Sequence, residues 1–151
     1  MDNKLMTFEN VAFGKIRTLT IDGEPWFVAV DVCRALEIGN PTDAMRRLDA
    51  DERTLVSVEG ASNGLPVNAV NEPGLYALIL GSRKPEAKAF KRWITHEVIP
   101  AIRKYGGYMT KSLLEQVLEN PNLIYEFARR MLAEQQKNER LRQELDRAKP
   151  K

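Results

Sequence analysis

The chain has 151 residues, of which 43% are hydrophobic and 29% charged, with a formal net charge of +2. That length holds one well-buried core plus an appendage, and the balance excludes both a disordered chain and a membrane-resident one. One cysteine and one histidine exclude an internal disulfide and leave no nitrogen-and-sulfur zinc site within one chain.

No apolar run approaches the ~20 residues a spanning helix needs, and the start MDNKLMTFEN lacks the apolar run of a signal peptide, so the protein is expected in the cytoplasm. Thr7 to Phe13 and Ile16 to Ile21 alternate apolar and polar residues, which predicts two short half-buried strands. Asp22, Gly23, Glu24 and Pro25 form a turn cluster before the β-prone run Trp26 to Val30, which predicts a hairpin. Asp31 is read as the cap of a helix over Val32 to Leu36, closed by Gly39 and Asn40. Cys33, in an apolar helical setting, is a packing residue. A second short helix starts at Pro41 and buries Ala44, Met45 and Leu48, with Arg46 and Arg47 outward. Thr54 to Val58 and Pro66 to Val70 predict a second hairpin around an Asn-Gly turn within residues 60–64.

From Asn71 the period changes to 3.6. Asn71 caps a short apolar helix with Pro73 in its first turn, and Gly81 and Ser82 end it. Pro85 opens a longer amphipathic helix with Lys88, Lys91 and Arg92 on its outer arc. Pro100 is expected to bend or restart that helix, and Gly106 and Gly107 stop it. Trp26, Phe27, Leu36, Leu75, Leu78, Phe90, Trp93 and Ile94 are the expected core. These patterns predict an α+β fold, a small antiparallel sheet of hairpins packed with several short helices, occupying residues 1–108. Residues 109–151 form a helical tail: Ser112 to Glu119, a break at Asn120 and Pro121, then one long helix over Asn122 to Ala148. With Ile124 at heptad position a, the a series is Ile124, Met131, Asn138 and Leu145, and the d series Phe127, Glu134 and Leu141. The tail is therefore expected to form a coiled-coil homo-oligomer, most simply a dimer, the alternative being a helix folded back on its own domain.

Charge is uneven along the chain. Residues 83 to 104 carry Arg83, Lys84, Lys88, Lys91, Arg92, Arg103 and Lys104 against only Glu86 and Glu97, whereas residues 31 to 60 carry an acidic excess. A basic helix face on a small domain points first to phosphate backbones, with Arg46 and Arg47 as second contacts and the hydroxyls of Ser82 and Thr95 as further donors. There is no Walker loop, nucleophile elbow or metal-ligand set, so the chain is not read as an enzyme, no cofactor is expected, and neither a membrane nor a small-molecule substrate is an expected partner. Asp49, Asp51 and Glu52 read as solvated surface, and His96 as structural.

The run FKRWITHEVIPAIRK from Phe90 to Lys104, preceded by NEPGLYALILGSRKPEAKA from Asn71, WFVAVDVCRALE from Trp26 and NPTDA from Asn40, resembles the amino-terminal domain of the BRO family of prophage antirepressors and large DNA viruses. The resemblance covers about residues 8 to 108. It implies an α/β domain associated with double-stranded DNA binding and transcriptional control of bacteriophage genes in a bacterial host. It also implies an alternative: an antirepressor that sequesters a phage repressor protein by direct contact, without touching DNA.

Overall fold

The structure, a computed structural model, describes residues 6–10, 14–57 and 66–148. It comprises two compact units, one ending at Pro100 and the other beginning at Ala101. No described helix is long and apolar enough to cross a membrane.

The first unit is α+β. Strands β1 (Met6–Asn10), β2 (Gly14–Ile21) and β3 (Glu24–Val28) form an antiparallel meander, with Phe8 opposite Ile16 and Leu19 opposite Trp26. The β2–β3 turn is Asp22–Gly23, both at positive φ (52° and 79°), the two-residue geometry whose twist matches the flanking strands. The chain then builds helices α1 (Ala29–Ala35) and α2 (Pro41–Arg46), a 3₁₀ turn at Ala50–Glu52, and the hairpin of β4 (Arg53–Val56) and β5 (Val67–Asn71). The expected Asn-Gly turn lies outside the described residues. Sheet order is β1-β2-β3-β5-β4, so the second hairpin enters with β5 against β3 and leaves β4 on the edge. Helices α3 (Glu72–Gly81) and α4 (Pro85–Trp93) follow, then a π turn at Ile94–Val98 and α5 (Ile99–Tyr105), which runs past the division between the units.

The pleat separates two apolar clusters. Ile16, Phe27 and Val70 join the helical residues Val32, Leu36, Met45, Leu48, Leu78 and Ala87. Leu19, Val28, Trp26, Ile21, Val56 and Val67 form the other. Cys33 is fully buried, and burial pushes its thiol up. Trp93, expected in the core, is instead 39% exposed, because Ala87, Phe90 and Ile94 supply the inward arc of α4.

The α1 region departs from its sequence reading. The helix begins three residues early, at Ala29, so the end of the β-prone run is helical and Val28 is the N-cap residue. Asp31 caps nothing: it is buried, and its carboxylate accepts from the backbone N, Nε and Nη2 of Arg17 on β2 at 2.9, 2.7 and 2.9 Å. The left-handed residue that ends α1 is Glu37, at φ 57°, not Gly39. With it come the paired bonds Ile38 N–H to Cys33 O and Glu37 N–H to Arg34 O, the double closure of a left-handed helix stop. The last two carbonyls are also satisfied, Ala35 O by Lys84 Nζ at 2.7 Å and Leu36 O by Ser82 Oγ at 2.8 Å. A side chain in the left-handed region costs about 1 kcal/mol that glycine avoids. Glu37→Gly should therefore raise stability by about 0.5 to 1 kcal/mol, seen as a higher urea midpoint with unchanged slope; a loss would mean the Glu37 side chain stabilises α1 in its own right.

Asn71 caps α3 as expected, accepting from Gly74 N–H at 3.0 Å. Pro100 does not end the helical stretch and lies in the first turn of α5, where α-helix resumes after the π turn. The π turn before it relaxes the hydrogen-bond pattern, with Ile99 N–H reaching back five residues to Ile94 O, while Thr95 Oγ1 donates to Lys91 O and His96 Nδ1 lies 3.0 Å from Arg92 O. This is where a proline ring would otherwise crowd the carbonyl one turn earlier.

In the second unit Thr110 caps α6 (Lys111–Glu119), accepting from Leu113 N–H at 3.2 Å, and α7 (Asn122–Ala148) follows the Asn120–Pro121 break. Val117 of α6 is buried, whereas no residue of α7 is.

Candidate nucleic-acid interface

Helix α4 forms because Pro85 supplies a preset first turn and Ala87, which joins the core, recurs at helical spacing with half-buried Phe90 and, just past the helix end, half-buried Ile94. At about 100° per residue, Lys84, Lys88, Lys91 and Arg92 share one arc beside that buried stripe. Lys88 and Arg92 are exposed and Lys91 is half-buried. Among the described residues no hydrogen bond or ion pair engages the side chains of Arg83, Lys88, Lys91 or Arg92, so their charge is available to a ligand. Glu86 stands away from this arc on the same wheel. The arrangement is one basic ridge, suited to tracking a row of phosphates and offering no acid–base pair.

Not every expected contact joins the ridge. Lys84 reaches α1 to donate to Ala35 O. Ser82, 3% exposed, gives its hydroxyl to Leu36 O, and Thr95 spends its own on Lys91 O. These two hydroxyls bind backbone within the chain, which corrects the expectation that they serve a ligand. Arg103 and Lys104 stand exposed on α5, in the second unit. On α2, Arg47 is held 2.6 Å from Asp43, and its hydrogen bond and charge, helped by Arg46, keep that carboxyl below its usual range. Arg46 lines a cleft of about 660 Å³ with Val28, Met45, Arg53 and Val67, and no residue of α4 borders it. Arg53, absent from the sequence reading, also donates to Met45 O at 2.8 Å; nothing in its local pattern marks it, because only the fold carries β4 to the end of α2.

A second feature escaped the sequence. Tyr76 of α3 stacks on Phe90 at 6.0 Å between ring centroids, and Phe90 meets Trp93 at 5.8 Å. Tyr76, Leu80 and Trp93 remain exposed, an aromatic patch on α3 and α4 opposite the basic arc.

A model of the BRO family, N-terminal domain, matches residues 15–100. The chain is 38% identical over 89 residues to a protein of Haemophilus influenzae, covering 57% of this chain and 43% of that relative. It is 30% identical over 137 residues to Bro-N domain-containing protein 019R of invertebrate iridescent virus 3, covering 68% of this chain and 34% of the relative. It is 29% identical over 126 residues to protein 201R of invertebrate iridescent virus 6, with 70% and 30% covered. The chain thus spans less than half the length of these relatives. No solved structure matches it.

Proposed function

The chain belongs to the BRO family, whose N-terminal domain it carries over residues 15–100, and from that membership we propose that it is a DNA-binding transcriptional regulator of the antirepressor type. In this reading Arg83, Lys88, Lys91 and Arg92 neutralise backbone phosphates of a DNA duplex, Arg46, Arg103 and Lys104 add further contacts, and α7 joins copies of the chain. The observation that carries it is the ridge on α4: Lys88, Lys91 and Arg92, adjacent on one arc, which no described side chain neutralises. Each phosphate bound releases counterions, so affinity falls with salt at about 0.9 in log-log slope per phosphate. Fluorescence anisotropy on duplex DNA from about 50 to about 200 mM salt should give a steep linear slope. The Lys88→Gln/Lys91→Gln/Arg92→Gln variant should flatten it by about 0.9 for each phosphate that is no longer neutralised. A slope identical in the variant removes α4 from the interface.

The aromatic patch favours a second reading, binding of a phage repressor protein, since exposed Trp and Tyr side chains are the usual anchors of protein interfaces. Trp93→Ala and Tyr76→Ala should then abolish capture of the repressor while leaving the salt slope on DNA intact. Capture that persists after nuclease treatment, and is lost in these variants, identifies this route.

A further inference from the structure

Helix α7 presents large apolar side chains to solvent: Ile124, Met131, Leu141 and Leu145 are 48–65% exposed and, with half-buried Phe127, recur at heptad spacing. On the reading that α7 joins copies of the chain, we propose that two α7 helices pair antiparallel, in the register that sets Met131 against the partner's Leu141 and Glu134 against the partner's Asn138.

Charge decides the direction. In a parallel in-register pair each a or d residue meets itself, so Glu134 faces its own copy inside the seam and two carboxylates share an apolar layer. The flanking g-to-e′ contacts add nothing favourable: Lys137 meets the partner's Arg142, and Arg130 meets the neutral partner's Gln135. In an antiparallel pair a faces d′ and g faces g′. The layers become Ile124 with the partner's Ala148, Phe127 with the partner's Leu145, and Met131 with the partner's Leu141. Both polar residues then fall into the two central layers, where an Asn138 amide donates to a Glu134 carboxylate. Arg130 meets the partner's Glu144 at both ends. Lys137 lies near its own copy at the axis, and each ammonium has the partner's Glu134 alongside. A shift of one heptad either way breaks the match, setting Asn138 against the partner's Phe127 or the partner's Leu141. The two helix starts are then about 40 Å apart, from 27 residues at about 1.5 Å each, whereas a parallel pair brings them side by side.

Variants of the full chain with one added cysteine test this, since Cys33 is fully buried with its thiol pushed up and does not compete. Under mild oxidation a mixture of Arg130→Cys and Glu144→Cys chains should give a disulfide-linked dimer, while either variant alone, or Arg130→Cys with Gln135→Cys, should not. Arg130→Glu should loosen the dimer about fivefold, and Arg130→Glu/Glu144→Arg should restore it. Cross-linking of Arg130→Cys to Gln135→Cys overturns the antiparallel arrangement and leaves self-association standing. A light-scattering dimer that cross-links in neither combination places the contact elsewhere and also overturns the proposal. A monomer at concentrations on the order of tens of micromolar overturns it together with the self-association on which it rests.

Discussion

Replacing Asp31 with Ala is expected to destabilise the first unit by about 3 kcal/mol. The carboxylate is 3% exposed and takes three hydrogen bonds from Arg17, with Arg34 at 3.4 Å. Breaking a buried pair by removing one partner typically costs about 3 to 5 kcal/mol; the low end applies because Arg17 is 32% exposed and can rehydrate. Burial on its own would push the Asp31 carboxyl up, but the hydrogen bonds and charge of Arg17, aided by Arg34, outweigh it and hold the group below the usual carboxylate range. A carboxyl depressed in the folded state contributes stability above its unfolded value, about 3.9, and loses it as pH falls through the lower folded value. Urea unfolding should therefore show the full gap between the native protein and Asp31→Ala at neutral pH, closing only below about pH 4. A gap that does not narrow at all as pH falls through the acid range would assign the loss to packing instead. The effect reaches the basic ridge, because the C-terminus of α1 receives Ser82 and Lys84, which lead directly into α4. On the proposed function, Asp31→Ala should consequently weaken binding to duplex DNA near its melting range without changing the salt slope of the folded fraction.

Gly74→Ala is the second large loss. A Cβ at this buried position would stand 2.7 Å from the backbone oxygen of Glu52 and 3.2 Å from Val70 Cβ. Neither neighbour has room to yield. The 3₁₀ turn carrying Glu52 is tied to the cap of α3 by Asn71 Nδ2 donating to Asp51 O at 2.9 Å, and Val70 is paired on both sides in the sheet. Overpacking of this kind costs about 1 to 3 kcal/mol, and rigid backbone on one side argues for the upper half. Gly81, at the other end of α3 with nothing within 4 Å of its would-be Cβ, is the control: Gly81→Ala should be neutral or mildly stabilising. Thermal melts of both variants decide it, and equal melting temperatures would mean that the 3₁₀ turn moves freely.

Much of the local structure was legible before any coordinates. Alternation over Ile16–Ile21, the Asp22–Gly23 turn, the Asn71 cap, the Pro85 start and the Asn120–Pro121 break all act over a few residues. The physics that sets them is complete within those residues. The family was legible for a similar reason, since its motifs are short and ordered along the chain. The basic arc was half legible: spacing alone puts Lys88, Lys91 and Arg92 together, but Lys84 looks identical to them in the sequence.

What the sequence by itself determined is, for most segments, whether they are strand or helix and which residues of each turn inward, and where cations gather. Only the tertiary structure decided that β5 and not β4 lies against β3, that Asp31 is a buried partner of Arg17 instead of a helix cap, and that Trp93 faces solvent. It also decided that Ser82 and Lys84 serve the end of α1, across 46 and 49 residues of chain. The reason is common to all of these. A polar side chain is committed by whichever unsatisfied backbone group or charge the packed core brings within about 3 Å, and that neighbour is distant in the chain and leaves no mark in the local period.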